Sequence, residues 1–273
     1  MKLVFVLCLA WISAWPDTSS RPYITAATLG GLGNLLFQVA TTYAIAWDHD
    51  ADAYFPQLGD KPTLYSHIFS RCKIIPPSNA TSIICSEGET MEFQPGMKLS
   101  GYFQEERYFS HHREKLIELF APIPADIKYI TRKYGNLLSK SDTVGVQIRY
   151  YRREVVDGYP QYGKQYLAKA LSQFPSSSTF IVSTDNIQFA RDQMPAWVTN
   201  VHYLEGEKDY INFYILTLCK HNLITNSSFG WWAAWLNQNP DKRVVCPSYW
   251  TSFANDRIFP KDWIRIESSA EEL

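Results

Sequence analysis

The sequence predicts an α/β protein with parallel sheets, arranged as two Rossmann-like halves facing a cleft. Three observations carry that expectation. A β-branched run at residues 23–29 (YITAATL) passes through Gly30-Gly31-Leu32-Gly33-Asn34 into an apolar helical pattern, the strand–turn–helix opening of a doubly wound unit. A second cycle of alternating strands and helices starts near residue 142. The 273 residues are 46% hydrophobic and 19% charged, which excludes disorder and supplies a sizeable core.

The elements follow in order. Residues 35–47 (LLFQVATTYAIAW) form the first helix and 99–103 a strand. Residues 113–120 and 125–138 are helices, the second introduced by Pro124, whose fixed φ suits a first turn. The second cycle has strand 144–148 (VGVQI), helix 165–173, strand 179–183 running into Thr184-Asp185, and helix 187–193. Helix 209–219, strand 222–225, the Trp-rich helix 228–237 and strand 243–246 complete it, with Pro260 and Trp263 in the tail. The two cycles join around residues 136–142.

Lys plus Arg total 26 and Asp plus Glu 27, a net charge of −1. No cationic excess exists to drive counterion release, so nucleic acid is not an expected partner. The 9 Trp, 17 Tyr and 15 Phe suit a large core and also sugar binding. Residues 3–15 form an apolar run behind Lys2, short for a membrane span, and Ser13-Ala14 resembles a cleavage point. Residues 1–20 are therefore expected to be a signal peptide or short membrane anchor. Cys8, Cys72, Cys85, Cys219 and Cys246 show no C-x-x-C spacing; Cys72 and Cys85 either pair, in a secreted chain, or stay free. Asn79 and Asn226 both head glycosylation sequons, and Asn79 is the more accessible by context.

Three segments carry chemistry. The glycines of residues 30–34 let backbone N–H groups approach a phosphate or sugar, or simply make a tight turn. Strand 144–148 ends in Arg149, Arg152 and Arg153, where a ligand would sit in an open sheet and arginine could grip a diphosphate. Asn226-Ser227-Ser228-Phe229-Gly230-Trp231-Trp232 opens a helix, where amide, hydroxyls and free N–H groups either cap it or bind an anion. Asp48-His49-Asp50-Ala51-Asp52 has the spelling of a metal-binding D-x-D but reads better as a polar helix end. Neighbouring His111 and His112 share a face poorly, so no metal site is expected there.

Taken together, these segments resemble the galactoside α-1,2-L-fucosyltransferase family over about residues 23–263. Its opening motif G-G-L-G-N-Q-L/M-F-Q appears as GGLGNLLFQ (30–38), and G-Y-F-Q-x-x-x-Y-F as GYFQEERYF (101–109). A Ser-Asp-Asp strand end appears as Ser183-Thr184-Asp185. L-C-K-H-N-x-I-x-N-S-S-F-S-W-W-x-A-W-L-N appears as LCKHNLITNSSFGWWAAWLN (218–237). The family's H-x-R-R-x-D keeps only its first arginine, Arg149; Gln147, Tyr150 and Arg152 replace the histidine, second arginine and aspartate, and Leu35 replaces a glutamine.

The resemblance implies a GT-B-like fold and inverting transfer of L-fucose from GDP-β-L-fucose to the 2-hydroxyl of a terminal galactose, with no metal and no other cofactor. It implies a donor site of Gly31, Gly33, Asn34, Gln38, Gln147, Arg149, Asp185, Asn226, Ser227, Ser228 and Phe229. Catalysis would rest on Arg149, with Glu154 and Asp157 as candidate bases. Residues 21–140 would form the acceptor half and 141–273 the donor half. A galactose-terminated glycan is the implied acceptor, and membrane association through residues 3–15 is possible on this reading. The compartment would be the secretory pathway, in the Golgi lumen or at its membrane, or the cytoplasm if residues 1–20 are no signal. The altered H-x-R-R-x-D motif supports one alternative, a non-catalytic glycan- or sugar-nucleotide-binding protein.

Overall fold

A computed structural model describes residues 21–59, 63–74, 84–86, 92–151, 158–251 and 256–267. The first sheet is parallel, in the order β2 (Asp52–Tyr54), β1 (Tyr23–Ala26), β4 (Lys98–Ser100), β3 (Ile84–Ser86). The long helix α1 (Leu32–Asp48) follows β1; α2 (Arg113–Leu119) and α3 (Pro124–Leu138) lead to the second sheet. That sheet is also parallel, in the order β10 (Ile264–Ile266), β9 (Val244–Pro247), β8 (His221–Ile224), β5 (Thr143–Ile148), β6 (Thr179–Thr184), β7 (Val201–Tyr203). Its helices are α4 (Lys164–Leu171), α5 (Ile187–Gln193), α6 (Asp209–Thr217) and α7 (Ser228–Leu236). Counted within the second half, the strand order is 6-5-4-1-2-3, the doubly wound Rossmann order. Its switch point, the ligand crevice of such sheets, lies between β5 and β8.

Strand alternation sorts the helices onto two faces. Val144, Val146 and Ile148 of β5 point into one core with Tyr166, Leu167 and Ala170 of α4. Gly145 faces the other way, where a Cβ would press on Leu216 and Cys219, and α6 therefore packs close to the strand. A second core runs from Ile24 in β1 through Phe37 in α1 to Trp231 and Trp232 in α7, so one continuous apolar mass joins the halves. Phe37 sits 4.6 Å from Trp231 and 5.1 Å from Trp232, and Phe109 stacks on Trp232 at 5.1 Å. Helix α7 is apolar all round because Gly230 through Leu236 are all buried. The aromatic richness of the chain thus goes largely into this core.

Several boundaries depart from the sequence expectation. Strand β1 ends at Ala26, and the chain turns out so that the Thr28 hydroxyl donates to Gln57 O. Helix α1 begins inside the glycine turn, with Gly31 as its N-cap. Strand β4 stops at Ser100, after which Gly101 and Phe103 take positive φ. The short strands β2, β3, β7 and β10 were not anticipated: three residues show no legible alternation, and each is defined only by its parallel pairing with a neighbour. Cys72 is a free thiol beside Tyr43, its pKa pushed up to about 12 by burial; the side chain of Cys85 lies outside what is described. The expected N-terminal segment 1–20 and Asn79 lie outside the described residues. Among those described, no helix is long and apolar enough to cross a membrane.

Candidate active site

The carboxyl ends of both sheets open onto one cavity of about 420 Å³. From the first half, the start of α1 (Gly31, Leu32, Gly33, Asn34) and the exit of β4 (Tyr102, Gln104) line it, with Tyr65. From the second come Gln147 and Arg149 at the end of β5, Ser183 to Asp185 at the end of β6, and Asn226 to Phe229 after β8. Two helix N-termini, of α1 and α7, therefore face the same space with their unsatisfied N–H groups and positive dipole ends.

Arg149 is held from three sides. Its N–H donates to Thr225 Oγ1 at 3.0 Å, and Gln161 Nε2 donates to its carbonyl at 2.9 Å. Its Nη1 lies 2.6 Å from Asp185 Oδ2, and its guanidinium sits 5.4 Å from the centre of the Tyr151 ring. The other Asp185 oxygen accepts the Tyr150 N–H at 2.9 Å. Tyr151 donates its hydroxyl to Asn226 O at 2.6 Å, and burial pushes that phenol far above its usual range. A guanidinium offers five N–H donors, so one fixed by Asp185 still has donors to turn toward a ligand.

The entry of α7 is the least self-satisfied part of the cavity. Ser227 is its N-cap, yet its side chain makes no capping hydrogen bond. Asn226 is 1% exposed; its Nδ2 donates to Pro160 O and Trp250 O, while its Oδ1 has no partner among the described residues. Asn212 of α6 also lines the cavity, and its buried Oδ1 likewise has no partner among the described residues. Each buried amide oxygen left without a partner costs about 1–3 kcal/mol, so both asparagines sit under strain at the cavity wall.

Of the residues singled out in the sequence, Gly31, Gly33, Asn34, Gln147, Arg149, Asp185, Asn226, Ser227, Ser228 and Phe229 line this cavity. Gln38 does not. It is fully buried, and its Oε1 accepts the Leu29 N–H at 2.9 Å, so it braces the turn from behind. Gly33 lines the cavity, but its missing side chain has another use. A Cβ there would lie 2.6 Å from Ser228 O and closer still to the Ser228–Phe229 peptide. Gly230 likewise leaves room for Gln147, whose Oε1 would be 2.9 Å from an added Cβ. Glu154 and Asp157 lie outside the described residues.

Sequence reasoning missed Tyr65, Tyr102, Gln104, Tyr151, Tyr159, Asp209, Asn212 and Trp250, all of which line the cavity. Tyr102 and Gln104 stand inside the GYFQ segment, which was a usable signal; Gln104 Nε2 donates to Asn34 Oδ1 at 3.0 Å. Asp209 and Asn212 sit one turn apart at the start of α6, a spacing that marks one helix face but not what it faces. The D-x-D spelling dissolves: Asp50 pairs with Arg21, Asp52 with Lys73 at 2.8 Å, and Asp48 with two histidines, none of them at the cavity.

Comparison with known proteins places this architecture. The chain is 26% identical to an alpha-1,2-colitosyltransferase of Escherichia coli over 89% of this chain and 99% of that one. It is 28% identical to galactoside alpha-(1,2)-fucosyltransferase 2 of Oryctolagus cuniculus, over 78% of this chain and 66% of the other. Among solved structures, the fold is similar to Bradyrhizobium NodZ, an alpha-1,6-fucosyltransferase crystallised with GDP. That likeness has a TM-score of 0.56 at 13% identity, covering 79% of this chain and 92% of that one. Arabidopsis thaliana FUT1 in complex with GDP gives 0.54 at 12%, over 89% and 74%. The fold is thus GT-B-like, and the family model of glycosyl transferase family 11 matches residues 91–267. The chain belongs to glycosyl transferase family 11 and is a glycosyltransferase.

Proposed function

We propose that this glycosyltransferase moves L-fucose from GDP-β-L-fucose onto the 2-hydroxyl of a terminal galactose, giving an α-1,2 linkage with inversion. The observation that carries the reading is the convergence of Arg149 and the α7 N-terminus at the β5–β8 switch point. Charge develops on the β-phosphate as the C1–O bond breaks, and a fixed guanidinium with helix N–H groups stabilises it without reorganisation. The relatives named for α-1,2 transfer support the linkage.

In the displacement, the galactose O2 attacks C1 of fucose, GDP departs, and the hydroxyl proton goes to a base. Two described carboxylates line the cavity. Asp185 is engaged with Arg149, whereas Asp209 hydrogen-bonds to no described residue, so we assign the proton to Asp209. Asp185 then acts through Arg149, holding its orientation. The donor sugar is the finer question, since one relative is a colitosyltransferase. Colitose is fucose without its 3-hydroxyl. The likeness to galactoside alpha-(1,2)-fucosyltransferase 2 supports fucose as the donor sugar.

The test is GDP release with lactose as acceptor, in EDTA, with GDP-fucose and GDP-colitose as alternative donors, and the linkage of the product read by NMR. Turnover with GDP-fucose and an α-1,2 product is expected. Preference for GDP-colitose would move the donor assignment. GDP binding without release, in the presence of galactosides, would establish the non-catalytic binding protein.

A further inference from the structure

The remaining cluster of metal-ligating side chains lies at the far end of α1. Asp48 is its last residue. Asp48 Oδ1 faces His112 Nε2 at 2.7 Å and Oδ2 faces His111 Nε2 at 3.0 Å. The sequence expectation that neighbouring histidines point apart fails here. Ser110–His112 is a short 3-10 turn running into α2, and both rings close over the same carboxylate with centroids 4.5 Å apart. The three ligand atoms lie within 4.8 Å of one another, the one such group of His, Cys, Asp and Glu among the described residues.

We propose that Asp48, His111 and His112 bind a divalent transition ion of the zinc class, which staples the end of α1 to the turn leading into α2. The donor set is two imidazoles and one carboxylate, suited to Zn²⁺, Co²⁺ or Ni²⁺ rather than to Mg²⁺ or Ca²⁺, which want oxygen. The spacing also suits it. Atoms bound about 2.1 Å from a common ion stand about 3.0 Å apart at a right angle and about 3.4 Å apart at a tetrahedral one. The Asp48–His separations of 2.7 and 3.0 Å need to open by at most about 0.3 Å for the right-angle arrangement and by about 0.4–0.7 Å for the tetrahedral one.

The surroundings agree. Asp48 ends a helix of 17 residues, so the partial negative charge of its C-terminus adds to the carboxylate. His112 is held edge-on against Trp47 at 5.2 Å. The two nearby cations are turned elsewhere: Lys115 over the Trp47 ring and Arg113 onto the Trp235 and Asn237 carbonyls. Metal binding needs each Nε2 lone pair, so each ring carries its proton on Nδ1 in the bound form. At about 1.5 Å per residue, α1 keeps this site roughly 25 Å from the cavity, so its role is stability and not transfer. Phe109, next to the turn, packs on Trp232, which links the staple to the shared core.

The experiment uses the metal-stripped full chain, titrated with Co²⁺ by visible absorption and with Zn²⁺ by calorimetry, with thermal unfolding followed in parallel. One ion per chain is expected, with a Tm rise of roughly 5–10 °C at a hundredfold excess over Kd. Both effects should vanish in Asp48→Asn and in His111→Gln, each compared with its own metal-free form. Both substitutions keep a hydrogen-bonding side chain at an exposed position, so the fold persists. GDP affinity should not change on adding Zn²⁺. No saturable uptake below millimolar metal would reduce the cluster to a His–Asp–His hydrogen-bond group and overturn the proposal. Uptake that survives both substitutions would place the ion elsewhere and also overturn it.

Discussion

The starts of α1 and α7 face each other across one cavity, and both read in the sequence as anion-binding turns. The structure makes them unlike. Neither has a side-chain cap, but the α1 turn is braced from behind: Gln38 holds Leu29, Gln104 holds Asn34, and Gly33 is small so that the Ser228–Phe229 peptide can touch it. The α7 turn has Arg149 beside it, and its Asn226 Oδ1 has no partner among the described residues. A glycine-rich turn can thus serve the approach of a neighbouring helix as readily as that of a phosphate. The α7 turn is the one arranged to receive charge, and on this account it holds the donor while the α1 side, with Tyr102 and Gln104, meets the acceptor.

The largest expected effect separates two glycines of one turn. Gly33→Ala drives a methyl into backbone, which cannot move aside as a side chain can, and should cost about 3 kcal/mol or more. Gly31→Ala meets nothing within 4 Å at an ordinary φ of −82° and should stay within about 0.5 kcal/mol of the parent. Equal stability of the two variants in urea unfolding would remove the packing explanation.

Next is Arg149→Ala, expected to lower kcat/KM by about 10²–10³ while Tm holds, because its ion pair with Asp185 is solvent-exposed and contributes little to folding. Asp209→Asn should lower kcat by about 10²–10⁴ with GDP affinity intact. An Asp209→Asn enzyme of full activity would return the base to the segment that holds Glu154 and Asp157.

A smaller effect concerns two departures from the family pattern that touch each other. Gln147 stands where the family motif has histidine, and Gly230 where it has serine; a Cβ on Gly230 would press on Gln147. Gly230→Ala should destabilise by about 1–3 kcal/mol, and shortening Gln147 to serine in the same chain should restore part of that, a coupling of about 0.5–3 kcal/mol. Beside Arg149 a second positive charge is disfavoured, so residue 147 orients rather than carries protons. Gln147→His should change the rate by less than about tenfold, and a hundredfold gain from a near-inert parent would show that proton transfer had been lost.

The smallest effect is a pH dependence. Burial lowers the Lys242 ammonium to about 8, although it donates to the carbonyls at the end of α7. The folded chain then binds fewer protons at Lys242 than the unfolded chain between about pH 8 and the ordinary lysine range. Stability should rise through that window. The parent should gain on Lys242→Met across that window, as read by urea midpoints; a constant difference between them would contradict the assignment.

What was legible in the sequence follows from how each feature is encoded. Long periodic elements such as α1 and α3, and strands buried on both faces such as β5, carry their own signal and were placed to within a few residues. The segments at the cavity were legible as motifs, because the strand–turn–helix joints that build it are local. Side chains that arrive from elsewhere were not. Asn212 enters from α6 and Trp250 from the loop after β9, and nothing local says that either faces a cavity. Gln38 was misread for the opposite reason: it stands in a motif, but one turn deeper along α1, where it braces the backbone instead of facing ligand. His111 and His112 were dismissed on local geometry, and only the tertiary placement of Asp48 brings them together.

The central claim is that donor and acceptor divide between the two helix starts. The direct measurement is GDP affinity by titration calorimetry in EDTA on two variants, Ser227→Ala combined with Ser228→Ala, and Gln104→Ala. The account predicts at least a tenfold loss of GDP affinity in the serine variant, with stability within about 0.5 kcal/mol because no capping bond is removed, and an unchanged affinity in Gln104→Ala. GDP affinity that holds in the serine variant and falls in Gln104→Ala would contradict it.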